Sequence, residues 1–455
     1  MTAAKKRILV VGGGPAGAAT AKSLADKGGL YDVQLLEAYP HPDKIAKTSA
    51  KAYVIALGRR GQEGIRKATG LDPLTIPNSI VSSNMARHPS MTVRKHEAAP
   101  SLIIPRAVLT SHLLGEAEKS GVKILYEHRL TDIDFEKRVA KFKSKNGGIK
   151  EVAYDLLVAA DGSKSAVRSL LNEKADDFEV VRIEEDSMEY QVAVVPSMTF
   201  TDVPLSAVHA WNDKTYNSIC LAFPLANDKG MLFAIVYPEG KLAEFRKNGY
   251  DEALTSTLPD LSDADKAEIV KQLSTGETAN GGTCVWTSAL GSVKHGVVLV
   301  GDSGHGMWPS LGQGANCALE SVAVFCETID DIAAGKVVES SSSWSETVVK
   351  EFNSRRHKDA IAAVDLTYGG IGARKSRGRG NAPLSYKLQV AGMMLLNKLT
   401  KGVVPKPALL RLMMGDTLAY SKARDMNFFY EKLICLGALS LPVLAWYLPK
   451  LAKKG

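Results

Sequence analysis

The sequence contains few cysteines, and their spacing does not resemble that of a metal site. Five cysteines are scattered through 455 residues, without the closely spaced pairs that zinc sites use. We expect no targeting segment before residue 8, so the chain gives no sign of an oxidising, disulfide-forming compartment. We therefore predict no metal site and reduced, mostly buried thiols at the five positions, which are Cys220, Cys284, Cys317, Cys326 and Cys435.

Internal repeats and long low-complexity tracts are also absent, and the apolar C-terminal run is short for a membrane span. Leu433 to Leu448 is uncharged and 16 residues long, with Pro442 inside it. A helix needs about 20 apolar residues to cross a bilayer. We predict that 431–455 is a hydrophobic membrane-associated tail, which spans with help from flanking residues, lies in the interface or folds back as a buried helix.

Acidic residues are scarce in one region. The net charge of the whole chain is +8, and from Arg374 to Arg424 eleven lysines and arginines face a single acid, Asp416. Apolar runs such as 390–396 alternate with these cations, a pattern that favours a membrane surface over nucleic acid. The alternative is a solvated helical face. We predict no nucleic-acid partner.

What is present near the N-terminus is a glycine-rich turn between an apolar strand and a helix. Gly12, Gly14 and Gly17 follow Ile8 to Val11, and this spacing allows a tight turn, a close approach to pyrophosphate and close packing of helix on strand. Glu37 ends the next predicted strand, where a carboxylate receives ribose hydroxyls. This arrangement predicts a dinucleotide site.

Two further acidic residues end apolar strands much later in the chain. Asp161 follows Leu156 to Ala160, and Asp302 follows Val297 to Gly301. The glycine-rich stretch after Asp302 opens a long apolar-faced helix, and a helix N-terminus attracts anions and polar ring edges. Arg106, at the start of another predicted helix, either clamps a phosphate or forms a surface salt bridge. Two distant halves suited to one dinucleotide suggest FAD in an extended conformation.

Between these motifs the periodicity changes. The pattern predicts alternating strands at Tyr190–Val195, Ala207–Trp211, Ser218–Phe223 and Met231–Tyr237, and an almost wholly helical chain after Trp344. We predict interleaved regions: 1–75, 105–180 and 286–340 in an FAD-binding domain, 76–104 and 181–285 in a substrate domain, 341–430 as a C-terminal helical region, and 431–455 as the tail.

Taken together, the glycine motif with its acid, Arg-x-x-Leu-x-x-x-Leu, Asp-Gly-x-x-Ser-x-Val-Arg and the Gly301–Asn316 motif resemble the single-component flavoprotein monooxygenases of the aromatic hydroxylase group. The resemblance covers residues 8–335. It implies an α/β fold like that of p-hydroxybenzoate hydroxylase, in which a Rossmann-like FAD-binding domain is interleaved with an antiparallel β-sheet substrate domain and followed by a helical C-terminal region.

The resemblance also implies FAD and NADPH as cofactors. Asp161 would serve both, Asp302 would contact the ribityl chain, and the loop from Pro309 to Asn316 would cradle the flavin ring. The cofactor-binding residues predicted are Gly12, Gly14, Ala16, Gly17, Glu37, Arg106, Asp161, Asp302, Gly312, Gly314, Ala315 and Asn316.

Within this family, the chain most resembles the kynurenine 3-monooxygenases, through Tyr53 to Gln62, Glu351 to Tyr368 and Thr417 to Tyr447. Members of that group hold the substrate carboxylate with an arginine and a tyrosine on the sheet and an Asn-Tyr pair on a later helix. Here Arg94 stands at the tyrosine position, the helix pair is Thr367-Tyr368, and Arg87 supplies the arginine. The predicted substrate residues are therefore Arg87, Arg94 and Tyr368.

The implied activity is an FAD- and NAD(P)H-dependent insertion of one O₂ oxygen into a small aromatic substrate through a flavin C4a-hydroperoxide. No catalytic side chain is predicted; the ring-contacting loop, with Pro309, Gly312 and Gly314, places the flavin, and His305 is expected to be structural. An epoxidase or hydroxylase of a membrane-soluble terpenoid or carotenoid is one alternative, and a non-catalytic flavoprotein subunit of a membrane assembly is another. The tail implies membrane attachment, at the mitochondrial outer membrane in eukaryotic members.

Overall fold

The strands of the residues that the structure describes form five sheets. The computed structural model describes residues 5–45, 49, 52–82, 84–88, 92–95, 100–198, 206–226, 230–337, 343–369, 384–413, 415–430 and 432. The strands are β1 Lys6–Val11, β2 Tyr31–Leu36, β3 Val54–Leu57, β4 Ile80–Ser82, β5 Asn84–His88, β6 Thr92–Lys95, β7 Ser101–Pro105, β8 Lys123–Leu125, β9 His128–Asp134, β10 Val139–Ser144, β11 Ile149–Ala153, β12 Leu156–Ala159, β13 Val180–Glu185, β14 Met188–Val195, β15 Val208–Asp213, β16 Ser218–Pro224, β17 Met231–Pro238, β18 Ala279–Asn280, β19 Thr283–Thr287, β20 Gly291–Ser292 and β21 Val297–Leu299.

The helices cover the faces of these sheets and fill most of the described chain after residue 343. They are α1 Pro15–Ala25, α2 Arg59–Thr69, α3 Arg106–Lys119, α4 Ala166–Lys174, α5 Lys241–Asn248, α6 Asp251–Thr257, α7 Asp263–Thr275, α8 Asp302–His305, α9 Gly314–Ala333, α10 Trp344–Gly369, α11 Leu384–Leu399, α12 Ala408–Met413 and a helical segment over 420–430.

The central six-stranded sheet has the order β20-β21-β12-β1-β2-β8, and its five strands from β21 to β8 run parallel. Ile8 and Val10 of β1 pack into one core with α1, α3 and α9, whereas Leu9 and Val11 pack on the opposite face with β9 to β11 and α4. Burial on both faces explains why these strands are continuous apolar runs. The carboxyl ends of the parallel strands therefore meet at one edge.

The seven-stranded sheet has the order β18-β14-β17-β16-β15-β5-β6 and is mainly antiparallel; β5 and β15 pair in parallel. Its strands β14 to β17 confirm the alternating pattern predicted between residues 190 and 237. Helices α5 to α7 cover one face of this sheet, and no helix was predicted there. The opposite face packs on the small sheet β3-β7-β4.

These two large sheets are interleaved along the chain, as the predicted fold class requires. The six-stranded sheet takes its strands from 6–36, 123–125, 156–159 and 291–299, and the seven-stranded sheet from 84–95 and 188–280. The domain boundaries themselves stay predictions.

The predicted membrane tail, 431–455, lies outside the described residues except for Lys432. Within the part of the chain that the structure describes, no helix combines the length and the apolar character needed to cross a membrane. The basic region predicted from Arg374 to Arg424 falls partly on α11 and α12, while 370–383 lies outside the described residues.

Candidate functional site

The sequence motifs meet at the carboxyl edge of the six-stranded sheet. Gly12 follows β1, Glu37 follows β2, Asp161 follows β12 and Asp302 follows β21. Because these four strands are parallel neighbours, their carboxyl ends lie side by side at the position where open α/β sheets bind ligands. Motifs that are far apart in sequence are therefore close together in the fold.

Close backbone packing explains the glycines of the first turn. Gly12 has φ 101° and lies against the carbonyl of Ala160, so a β-carbon at position 12 would collide with that carbonyl. A β-carbon at Gly17 would collide with the carbonyl of Gly12. Gly14 precedes α1 and offers no capping side chain, which leaves the N–H groups of the first helical turn open to an anion.

Two predicted ribose and phosphate residues flank this turn. The Glu37 carboxylate accepts hydrogen bonds from the backbone N–H groups of Gly13 at 2.5 Å and Tyr39 at 2.9 Å. A β-carbon on Gly14 would lie 3.3 Å from Nη2 of Arg106, which places the guanidinium beside the glycine turn. Arg106 therefore lies where it can contact a phosphate held by α1.

Asp161 organises the start of α4. Its Oδ2 accepts hydrogen bonds from the N–H groups of Ala166 at 2.8 Å and Val167 at 3.2 Å. Its Oδ1 is buried and has no hydrogen-bond partner among the described residues. Burial raises the pKa of Asp161, against the opposing effect of hydrogen bonds from Ser165 and the α4 backbone. One carboxylate oxygen is thus structural and the other is available.

Arg168 connects the two later acidic turns, a role that was not predicted. Its buried guanidinium donates to the carbonyl of Ser303 at 2.9 Å and to that of Ser163 at 2.6 Å. The residue belongs to the Asp-Gly-x-x-Ser-x-Val-Arg motif, so its fixed spacing from Asp161 was the signal that could have identified it. Through these two hydrogen bonds, Arg168 holds the turn that carries Asp161 next to the turn that carries Asp302.

Asp302 begins α8 directly after Gly301. A β-carbon on Gly301 would lie 3.4 Å from the β-carbon of Ala16 and 3.1 Å from that of Ala318, so this turn packs between α1 and α9. Neither carboxylate oxygen of Asp302 takes part in a hydrogen bond with the described residues. Burial raises the pKa of Asp302, and the nearby Arg106 and Arg168 oppose that rise. The carboxylate is free to accept from a ligand.

The loop before α9 leaves open space and open donors. Gly312 has φ 61°, and a β-carbon there would meet nothing within 4 Å. The first α9 hydrogen bond runs from the N–H of Cys317 to the carbonyl of Gln313 at 2.8 Å. The N–H groups of Gly314, Ala315 and Asn316 precede it and have no partner within the helix. They form a donor set at a helix N-terminus, where negative charge is stabilised.

The side chain of Asn316 forms its hydrogen bonds with backbone groups of the protein. Its Oδ1 accepts from the N–H groups of Gly58 at 2.9 Å and Gly61 at 3.2 Å. Its Nδ2 donates to the carbonyls of Ala56 at 3.1 Å and Gly312 at 2.9 Å. The amide therefore clamps the loop onto the β3–α2 connection, and only its backbone N–H remains for a cofactor.

The three predicted substrate residues lie on three different elements, β5, β6 and α10. Arg87 is exposed on β5, on the sheet face that also carries Met85 and packs toward the β3–β7 layer. Arg94 lies on β6 with its backbone opposite Met85. Tyr368 is near the end of α10, where its ring lies 5.1 Å from that of Trp308, the residue before Pro309.

Arg182 completes the surroundings of Tyr368 and carries no local sequence signal. Its Nη2 donates to the Tyr368 hydroxyl at 2.5 Å and lies 3.0 Å from Oε1 of Glu184. The guanidinium also lies 4.9 Å from the ring centre of Trp286. Tyr368 is thus fixed beside the loop within an aromatic cluster.

His305 is structural, as predicted. It is fully buried, its Nε2 is 2.9 Å from Oγ of Ser321, and its Nδ1 is 3.8 Å from Sγ of Cys317. Burial, with a smaller effect from Arg356, lowers the pKa of His305 to about 3. The imidazole is therefore neutral at physiological pH and packs as part of the core.

This buried imidazole predicts an acid-sensitive fold. Between pH 6.5 and about 3 the unfolded chain binds a proton at His305 that the folded protein does not bind. The stabilisation that the neutral His305 gives the fold is therefore fully present above pH 6.5 and is lost as the pH falls. We expect the free energy of unfolding, measured by urea denaturation, to fall between pH 7.5 and pH 4.5 by about 2.7 kcal/mol more in the wild type than in His305→Gln. Equal losses in the two proteins would contradict the role of this ring.

Comparison with known proteins agrees with the motifs. Residues 5–341 match the family model described as FAD binding domain. The chain is 27% identical over 377 residues to a kynurenine 3-monooxygenase of Xanthomonas campestris, covering 80% of this chain and 78% of that protein. A kynurenine 3-monooxygenase of Neurospora crassa is 25% identical over 410 residues, with 80% and 77% covered.

A solved structure shares the fold. PqsL of Pseudomonas aeruginosa, determined in complex with 2-aminobenzoylacetate, superposes with a TM-score of 0.60 at 16% sequence identity, covering 81% of this chain and 96% of that one. At this identity the likeness concerns the fold alone. It agrees with the predicted arrangement of an interleaved α/β protein with a helical C-terminal region.

Proposed function

Because the chain belongs to the FAD binding domain family and is a flavin-dependent monooxygenase, we propose that it hydroxylates a small aromatic substrate of the kynurenine type. NADPH is the proposed electron donor. The observation that carries this proposal is the convergence of four nucleotide motifs on one sheet edge, in a chain similar to kynurenine 3-monooxygenases over about four fifths of its length.

The residues at the sheet edge fit FAD. Three features of different kinds support the fit: the carboxylate of Asp302 lacks a hydrogen-bond partner among the described residues, Oδ1 of Asp161 is buried without one, and open space surrounds Gly312. In the proposed site the α1 N-terminus and Arg106 hold the pyrophosphate, while Glu37 receives a ribose.

FAD held by these residues would supply the redox chemistry, in which one oxygen atom of O₂ goes to the substrate and the two electrons of NADPH reduce the other to water. The chain supplies binding, orientation and a preorganised field. The three open N–H groups at the start of α9 would stabilise negative charge on the flavin ring, and the side chain of Asn316 holds that turn in place. No side-chain base is needed for these tasks.

The substrate side of the proposed site lies between the loop and the seven-stranded sheet. Trp308 and Tyr368 supply an aromatic wall next to Pro309, and the indole N–H of Trp308 is buried without a hydrogen-bond partner among the described residues. Arg87, on the sheet face that packs toward the nucleotide domain, is the proposed cation for a substrate carboxylate.

The test is NADPH oxidation by the full-length, FAD-loaded protein with and without kynurenine. We expect kynurenine to accelerate oxidation by at least about tenfold, with one hydroxylated product formed for each O₂ consumed. Alanine, an amino acid without the aromatic ring, serves as the control and should have no effect. The proposed substrate class is wrong if kynurenine and other small aromatic compounds leave the rate unchanged.

Oxidation of a lipid-soluble terpenoid or carotenoid is the second candidate, and one observation favours it. Leu395, Leu399, Val403, Phe428 and Phe429 are exposed in the region just before the predicted membrane tail. Attachment of that tail to a membrane would give the site access to such substrates. In the same assay, acceleration by a detergent-dispersed isoprenoid but not by kynurenine would replace the first candidate with this one.

A further inference from the structure

Two distant segments bring together a group of possible metal ligands at the edge of the six-stranded sheet. Asp176 and Asp177 follow α4, and His295 lies in the turn between β20 and β21. One ligand atom from each residue lies within 4.8 Å of the other two. This group is separate from the carboxyl edge that carries the nucleotide motifs, because β21 begins beside it and Asp302 follows the other end of that strand.

His295 points to a ligand independently of the two acids. The residue is only 4% exposed, and its ring nitrogens make no hydrogen bond with the described residues. Because the imidazole makes no hydrogen bond with the described residues, its nitrogens are available to a ligand. The ring lies 5.1 Å from that of Phe135, which fixes its plane, and one nitrogen is directed toward the aspartates.

The carboxylates are already organised for a cation. Asp177 accepts hydrogen bonds from Oγ of Ser292 at 2.6 Å and from the N–H of Lys294 at 3.1 Å, which holds the turn that carries His295. The ammonium of Lys294 lies 3.4 Å from Oδ2 of Asp176. A positive charge therefore occupies the edge of the group, and this lysine is exposed enough to move away.

We propose that Asp176, Asp177 and His295 bind a divalent transition-metal ion such as Mn²⁺ or Zn²⁺. One imidazole and two carboxylates suit these ions better than Mg²⁺ or Ca²⁺, which prefer oxygen ligands alone. With metal–ligand distances of about 2.1 Å, ligand atoms lie roughly 3 to 4 Å apart, so a small rotation of the exposed aspartates closes the site. No sequence motif predicts it, since its ligands come from segments more than a hundred residues apart.

The bound ion would join the loop after α4 to the turn before β21. It would stabilise the sheet edge without contacting the cofactor site, so the proposal does not depend on the proposed substrate.

The test is Mn²⁺ binding to the full-length, FAD-loaded protein, followed through the electron paramagnetic resonance signal of free Mn²⁺. We expect one saturable site per chain. Asp176→Asn and His295→Phe should each raise the Kd at least about tenfold, because each removes one of three ligands. Lys294→Met should lower the Kd, because it removes a competing cation.

Asp132→Asn is the matched control. Asp132 lines a surface cavity of about 340 Å³ beside His295 and pairs with Lys174, but it is not one of the three ligands. Its variant should bind Mn²⁺ as the wild type does. The proposal is overturned if binding does not saturate, if Asp132→Asn weakens it as much as Asp176→Asn, or if Mg²⁺ binds equally well. Because Asp176 is exposed, its variant remains decisive even if His295→Phe fails to fold.

Discussion

The Asp302→Ala variant is expected to purify folded but without the yellow absorbance of bound FAD. The wild-type carboxylate stands at the end of β21 and has no hydrogen-bond partner among the described residues, so its acceptor capacity is reserved for a ligand. Losing a hydrogen bond to a charged group costs about 1.5 to 3 kcal/mol, which corresponds to a tenfold to hundredfold weaker FAD affinity. Flavin absorbance after purification and titration with FAD measure this loss.

The fold of this variant should survive because Asp302 supports no internal hydrogen bond among the described residues. Asp155→Ala is the matched control, since Asp155 precedes β12 at the opposite, amino edge of the same sheet and pairs with Arg7 at 2.7 Å. That variant should retain FAD. Full FAD occupancy in Asp302→Ala would remove Asp302 from the cofactor site.

The nucleotide half of the site could be predicted because its signals are local. The glycine spacing from Gly12 to Gly17 belongs to one strand–turn–helix unit, and the acids at positions 161 and 302 each end an apolar run. Local spacing fixes such geometry, and parallel strands then bring the ends together. The hydrogen bonds from Gly58 and Gly61 to the Asn316 side chain were not predicted, and they leave only the backbone N–H of Asn316 for the predicted cofactor contact.

The parts that were missed depend on contacts between distant segments. Arg182 lies beside Tyr368 only because β13 passes the end of α10, and no spacing rule connects two residues so far apart. Helices α5 to α7 were not predicted, because the clearest pattern in the region 181–285 was the alternation of apolar and polar residues that is typical of strands. The predicted substrate residues stay predictions, because they lie on strands and helices whose relative placement is set by tertiary packing.

A second large effect is expected at Glu320, which lies between two arginines. Its Oε2 is 2.7 Å from Nη1 of Arg356, and its Oε1 accepts a hydrogen bond from Nη1 of Arg60. The side chains of Arg356 and Arg60 are 2% and 5% exposed. Glu320 is therefore the carboxylate that balances two buried positive charges where α2, α9 and α10 meet.

Glu320→Gln should lower the free energy of unfolding by about 3 kcal/mol, because it keeps the side-chain shape but leaves two guanidinium groups without this counter-charge. Urea denaturation measures the effect. Glu63→Gln is the matched control: Glu63 pairs with Arg59 on the exposed side of α2, and such surface pairs contribute less than about 1 kcal/mol. Similar losses in the two variants would contradict a special role for the carboxylate of Glu320.

The same substitution should also loosen the connection between the C-terminal segment, residues 415–430, and the loop before α9. Nη2 of Arg60 donates to the carbonyl of Leu418 at 2.6 Å, and the Tyr420 hydroxyl donates to Oε1 of Gln313 at 2.9 Å. Gln313 directly precedes the open N–H groups of α9. If Arg60 shifts when its counter-charge is lost, Tyr420 can no longer hold Gln313, so we expect Glu320→Gln to be cleaved by protease within 415–430 and to bind FAD more weakly than Glu63→Gln. Loss of stability with unchanged FAD affinity would show that the buried ion pairs support the helices alone and not the loop.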